Sequence, residues 1–188
     1  MIRKARKGES LQIAQLMLLA MEDIVYAFLG NHSPNDALEF MDLLVRQEGN
    51  QYSFENTWVA EENKQLVGSI TVYEGAKLQQ LRQPVVSLLA EKYKREIAPE
   101  DETEPGEFYI DTIAVHPNHQ GKGLGTQLLK FVISQIVHQD GNVLGLLVDV
   151  NNSKAKNLYV QLGFQPVRTK QLMGHPYEHL QMRRRAKR

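Results

Sequence analysis

Residues His119 to Thr126, read His-Gln-Gly-Lys-Gly-Leu-Gly-Thr, limit what this chain can fold into more tightly than any other stretch. The apolar run Tyr109-Ile110-Asp111-Thr112-Ile113-Ala114-Val115 comes just before and predicts a buried strand. Leu124 to Ile133 follows with the spacing of an amphipathic helix. Gly121, Gly123 and Gly125 alternate through the junction and strip it of side chains, so a ligand can approach the backbone. The first amides of a helix lack intrahelical partners and carry partial positive charge. A junction built this way binds phosphate.

Two common phosphate motifs are excluded. A P-loop needs a glycine five residues before its Gly-Lys pair, and that position is His116; a Ser or Thr should follow Lys122, where Gly123 stands. The dinucleotide fingerprint Gly-x-Gly-x-x-Gly fails as well, because its last position is Thr126 counted from Gly121 and Leu128 counted from Gly123. The pattern that fits is Gln120-x-x-Gly123-x-Gly125.

At 188 residues the expectation is a single domain, 1–188, with a helical and acidic insert at about 77–106. Lys+Arg and Asp+Glu both number 22, so no global field draws the chain to nucleic acid. The chain has no cysteine, which excludes disulfides, thiolate catalysis and cysteine-based zinc sites. Six histidines without paired spacing predict no metal site. A basic start, Met1 to Lys7, leads into the apolar run Leu16 to Met21 and superficially suggests a secretory leader. Gln12, Gln15, Glu22 and Asp23 interrupt it, no small-residue cleavage site follows, and its apolar residues have helical spacing. The expectation is a packed helix in a cytoplasmic protein, with no stretch approaching the roughly 20 apolar residues of a membrane span.

In chain order, Ile2 to Ala5 reads as a strand and Ser10 to about Leu29 as a helix ended by Gly30. Ser33-Pro34 opens a second helix that runs to about Gln47. Thr57–Ala60 and Gln65–Tyr73 read as a hairpin around the turn Glu61 to Lys64. Lys77 to Ile97 has helical spacing, started or kinked at Pro84. Ala98 to Gly106 carries Glu100, Asp101, Glu102 and Glu104 and reads as a mobile loop. Glu107 to Val115 is the central strand, and the helix after the glycine loop runs to about Gln139. Val143 to Val150 is a strand covered on both faces, Asn152 to Leu162 a helix, and Phe164–Leu172 and Tyr177–Met182 are closing strands around Gly174-His175-Pro176. This order implies a mixed α/β sheet with helices on both faces.

A second signature is Asn152-x-x-Ala155-x-x-Leu158-Tyr159-x-x-x-Gly163-Phe164. Together with Val115-His116-Pro117-x-x-Gln120-Gly121-x-Gly123-x-Gly125 and the entry Ile2-Arg3-x-Ala5, it resembles the GCN5-related N-acetyltransferase (GNAT) superfamily over the whole chain except the insert. The resemblance implies the acyl-CoA N-acyltransferase fold, a mixed, mostly antiparallel twisted sheet, with acetyl-CoA as acyl-donor cosubstrate. It implies that the backbone of Ile113, Ala114 and Val115 meets the pantetheine arm as an added strand would. It implies that the amides of Gln120, Gly121, Lys122, Gly123, Leu124, Gly125 and Thr126 hold the pyrophosphate. Asn152 would hydrogen-bond the pantetheine, and Tyr159 would sit near the coenzyme sulfur. Homodimers are common in the superfamily.

Chemistry supports a role for Tyr159. An amine attacking a thioester expels a thiolate with a pKa near that of a free thiol, about 8.5, which a phenol of pKa about 10 can stabilise or protonate. A protonated amine must also lose a proton. Odd positions of the central strand share one face, so Glu107, Tyr109 and Asp111 line up. Superfamily members often use a strand-four carboxylate as base, directly or through water. Asp111 is the first candidate here and Glu107 the second, and a purely structural role for Asp111 is the competing reading. His116 and His119 are alternatives that flank the phosphate loop.

Lys122, Lys154 and Lys156 are candidates for coenzyme phosphates, a solvated helix face being the other reading for the last two. Arg183 to Arg188 is a basic tail, either solubilising or RNA-contacting. Seven acids between Glu91 and Glu107 would favour a cationic amine if they frame the acceptor cleft. The expected partner is thus a small-molecule amine, with neither nucleic acid nor membrane. The alternatives are a protein or peptide amine as acceptor, and a coenzyme A-binding sensor that has lost catalysis.

Overall fold

The computed structural model describes residues 1–184, so the basic tail beyond Arg184 lies outside the described residues. Twelve elements organise it: β1 (Ile2–Lys4), α1 (Ser10–Leu29), α2 (Pro34–Arg46), β2 (Thr57–Glu62), β3 (Gln65–Glu74), α3 (Leu78–Tyr93), β4 (Phe108–Val115), α4 (Leu124–Ile133), β5 (Leu144–Asp149), α5 (Ser153–Leu162), β6 (Gln165–Leu172) and β7 (His175–Met182). The sheet has seven strands in the order β1-β2-β3-β4-β5-β7-β6. β4 and β5 pair in parallel, while β1–β2, β2–β3, β5–β7 and β6–β7 are antiparallel. This is the mixed sheet that the element order implied, mostly antiparallel as the family resemblance implied. The chain divides into two compact units, one of Met1–Val72, Gln79–Ile97 and Thr112–Leu129, the other of Tyr73–Leu78, Ala98–Asp111 and the chain from Lys130 on.

The first unit owes its core to helical periodicity. Ile13, Met17, Met21 and Val25 recur every four residues along α1 and are buried with Phe40, Met41, Leu44 and Val45 of α2 and Val85 and Leu89 of α3. Each such side chain contributes about 1.5–3 kcal/mol on leaving water. α2 starts as its sequence predicts, with the Ser33 hydroxyl accepting from the Asp36 amide at 3.2 Å and Pro34 in the first turn. α1 ends at Gly30, whose φ of +71° suits glycine and whose N–H donates to Tyr26 O. Met21 interrupts α1 with non-helical torsions (φ −138°, ψ 21°). Lys7–Leu29 is long and apolar enough to cross a membrane by length and composition, at mean hydropathy 1.4, contrary to the sequence expectation. A core helix passes the same test, and nine α1 residues are buried.

Three expectations of local structure need correction. The β2–β3 connection is shorter than Glu61–Lys64: strand pairing continues to Glu62–Gln65, and Asn63 (φ 50°) and Lys64 (φ 65°) make a two-residue turn. α3 stops at Tyr93 rather than Ile97, and Pro84 lies in its interior. Lys94 then turns left-handed (φ 56°), and the Arg95 side chain donates to Phe28 O at 3.2 Å. Similarly, β6 and β7 are joined at Met173 (φ 51°) and Gly174 (φ 78°), one residue earlier than predicted, so His175 and Pro176 belong to β7.

In the second unit the acidic segment is tied down rather than loose. Glu104 lies 3.2 Å from both Arg168 and Lys170, Glu100 accepts from the Met173 amide at 3.2 Å, and Thr103 is buried. Gly75 makes this approach possible, because a Cβ there would stand 2.2 Å from Glu104 O and Thr103 Oγ1.

Candidate active site

The strand-to-helix junction of the first unit is held by its own backbone. His116 N donates to Val67 O at 2.9 Å, and the Gln120 side-chain amide donates back to Val115 O at 3.0 Å. Gly121 and Gly123 have φ of +75° and +77°, the left-handed region that side chains disfavour. A Cβ at either would have no heavy atom within 4 Å, so torsion and not crowding demands glycine here. The first hydrogen bond of α4 runs from Gln127 N to Gly123 O. The amides of Leu124, Gly125 and Thr126 therefore stand outside the helical ladder and point their partial charge off its start. Below them Gly68 lets α4 sit close, since a Cβ there would lie 3.1 Å from both Leu128 Cδ1 and Ala114 O.

The flanking side chains have local partners. The His116 imidazole accepts from Asn118 N at 3.3 Å, His119 Nδ1 lies 3.1 Å from a Glu62 carboxylate oxygen, and Lys122 donates to Asn118 O at 3.1 Å. The parallel β4–β5 ladder comprises three pairs, Phe108↔Leu144 to Ile110↔Leu146, whereas β4 itself runs on through Ile113, Ala114 and Val115.

In the second unit Asn152 caps α5, its Oδ1 accepting from the Ala155 amide at 3.1 Å. Gly163 closes that helix at φ 109°. Tyr159 lies on α5 with its ring edge-on to Phe164 at 6.0 Å, and burial raises its phenol pKa, which keeps it a proton donor at neutral pH. Lys156 is paired with Glu178 at 2.6 Å, while Lys154 is exposed.

The two candidate bases occupy different settings. Asp111 is half-buried and accepts a 2.7 Å hydrogen bond from the Tyr73 hydroxyl. Glu107 is buried with both oxygens engaged: Oε1 accepts from Thr103 Oγ1 at 3.2 Å and Glu104 N at 3.1 Å, and Oε2 meets His179 Nε2 at 2.8 Å and Gln181 Nε2 at 2.7 Å. Burial alone would raise the Glu107 pKa, but the bonds from His179 and Gln181, the His179 charge and the Glu104 amide outweigh it and hold the carboxyl below its usual range. Sequence reasoning missed Tyr73, His179 and Gln181. Tyr73 ends an apolar strand, and the other two lie more than 70 residues from Glu107, so only strand pairing joins them. Among the described residues no group of three or more His, Asp or Glu side chains is placed to hold a metal ion.

A mixed sheet with a glycine-bared helix start and a capped α5 carrying a half-buried tyrosine defines an acyltransferase-like α/β protein. The chain belongs to the acetyltransferase (GNAT) family, which it matches over residues 21–164. Two solved structures share its fold closely. One is an acetyltransferase 28% identical, with TM-score 0.83 over 97% of this chain and 98% of the other. The second is an N-acetyltransferase from Staphylococcus aureus Mu50, 25% identical, with TM-score 0.83 over 97% and 100%. A shorter likeness, 38% identity over 65 residues, links it to the N-alpha-acetyltransferase RimI of Mycobacterium tuberculosis. That match spans 35% of this chain and only 39% of the relative's length.

Proposed function

We propose that this protein is an acetyl-CoA-dependent N-acetyltransferase that moves acetyl directly to a primary amine. The junction Gln120 to Thr126 carries the reading, because two left-handed glycines with open space around them and three amides outside a helical ladder suit a diphosphate. Ile113, Ala114 and Val115 offer the backbone edge for the pantetheine arm. Asn152, whose Oδ1 caps α5, is assigned to the pantetheine by the family resemblance.

In the reaction Asp111 takes a proton from the ammonium form of the acceptor. The freed amine nitrogen attacks the thioester carbonyl carbon, the C–S bond breaks, the Tyr159 phenol protonates the departing thiolate, and the second proton that the nitrogen sheds as the amide forms restores the phenol. No covalent enzyme intermediate is required, and the chain has no cysteine to carry one. Glu107 is assigned a supporting role beside this step, because its oxygens are bound by Thr103, Glu104, His179 and Gln181. A small cationic amine is the favoured acceptor. Its support is narrower than the acidic run suggested, since Glu100, Glu104 and Glu107 bind partners within the fold. The stretch shared with the N-alpha-acetyltransferase favours a peptide N-terminus as a second reading. We place the chain in the cytoplasm as a soluble enzyme, since Ile13, Met17, Met21 and Val25 of α1 are buried in the core.

The test is release of free coenzyme A thiol from acetyl-CoA with polyamines, amino acids and peptides as acceptors. Amine-dependent release supports the proposal. Tight coenzyme binding without release to any amine would identify a sensor instead.

A further inference from the structure

Tyr73 sits at the end of β3 with only 3% of its surface exposed, and its ring lies 5.9 Å from that of Tyr109. Its hydroxyl donates to Asp111 Oδ2 at 2.7 Å. We propose that Tyr73 is a positioning residue, fixing the Asp111 carboxylate in the orientation from which it accepts the proton of the incoming ammonium group. This inference rests on the acetyltransferase reading above and adds a residue to it.

The argument is one of unequal freedom. A terminal carboxylate rotates over a broad, nearly two-fold well and selects no single orientation by itself. A phenol enclosed by its own strand and by Tyr109 does not rotate away, so its hydroxyl marks one fixed point in space. The 2.7 Å bond to that point favours one carboxylate rotamer over the others. Groups that act on Tyr73 include Asp111 and Tyr109 from β4 and Glu102 from the segment before it. Burial, followed by the charges of Asp111 and Glu102, drives the phenol well above its ordinary pKa, so it remains a donor at every pH at which the enzyme would work. The proton balance is simple. The ammonium N–H bond breaks, the proton passes to Asp111, and the Tyr73 proton stays on its own oxygen throughout.

Replacing Tyr73 with Phe keeps the packed ring and removes only the hydroxyl. The experiment compares Tyr73→Phe, Asp111→Asn and the double variant in steady-state kinetics, with calorimetric coenzyme A affinity as a control for folding. Tyr73→Phe is expected to lower kcat roughly 10- to 100-fold, as a misplaced catalytic group does, with coenzyme A affinity unchanged. In the Asp111→Asn background the same change should cost less than about twofold, because residues that act as a unit are not additive. A carbon-13 titration of the Asp111 carboxyl should show its midpoint rising in Tyr73→Phe, as the bond to the charged form is lost. Multiplied losses with an unmoved midpoint, in an active wild-type enzyme, would overturn the inference alone. A wild-type protein that acetylates no amine would remove the functional reading and this role with it.

Discussion

The Glu107 carboxylate fills the space beside Gly145 so completely that a Cβ at Gly145 would lie 2.0 Å from Oε2 and 2.5 Å from Cδ. Gly145 stands opposite Tyr109 in the β4–β5 ladder, so an apolar strand accepts a buried charge where its side chain is missing. Gly145→Ala should push that carboxylate off His179 and Gln181. A buried charge stripped of partners costs roughly 3–5 kcal/mol. At about 2–4 °C per kcal/mol for a chain this size, thermal unfolding should fall by roughly 6–20 °C. An unchanged melting temperature would mean that Glu107 has room to move.

The same network makes a pH prediction. Glu107 is held below its usual pKa in the folded protein, so it binds protons less readily folded than unfolded. Its contribution is present above the unfolded value of about 4.3 and lost as pH falls through the lower folded value. Urea unfolding at successive pH values below about 5 should therefore lose stability more steeply in wild type than in Glu107→Gln. Parallel slopes would remove the assigned depression.

Tyr159→Phe keeps the edge contact to Phe164 and removes the proton that a thiolate would need. The expected loss in kcat is roughly 10²–10⁴-fold, with coenzyme affinity nearly unchanged. Steady-state kinetics beside calorimetry checks both halves. A variant that keeps its turnover would take Tyr159 out of the chemistry.

What was readable in the sequence was whatever a few neighbouring residues decide. Ser33-Pro34 announced α2, three alternating glycines announced the junction before α4, and Gly163 announced the end of α5. Asn152 carried two messages at once, since the short polar side chain that a ligand would use is also a helix cap. Turn positions slipped by one or two residues because Lys64 and Met173 adopt positive φ, which their side chains do not advertise. The acidic segment looked mobile because its composition is polar, yet Arg168, Lys170 and the Met173 amide hold it from more than 60 residues away. The hairpin of β6 and β7 was legible from its turn, but its approach to the acidic segment is a long-range contact that no local pattern encodes.

The central claim is that the glycine junction holds the diphosphate of acetyl-CoA, and calorimetric titration of acetyl-CoA into wild type and Gly123→Val tests it most directly. Gly123 lies in open space at φ +77°, so valine would act by forcing the backbone out of the left-handed region and turning the bare amides aside. The account predicts saturable binding to wild type and none that is measurable to a Gly123→Val protein that still unfolds cooperatively. Equal dissociation constants for the two, or no heat with wild type at millimolar acetyl-CoA, would contradict it.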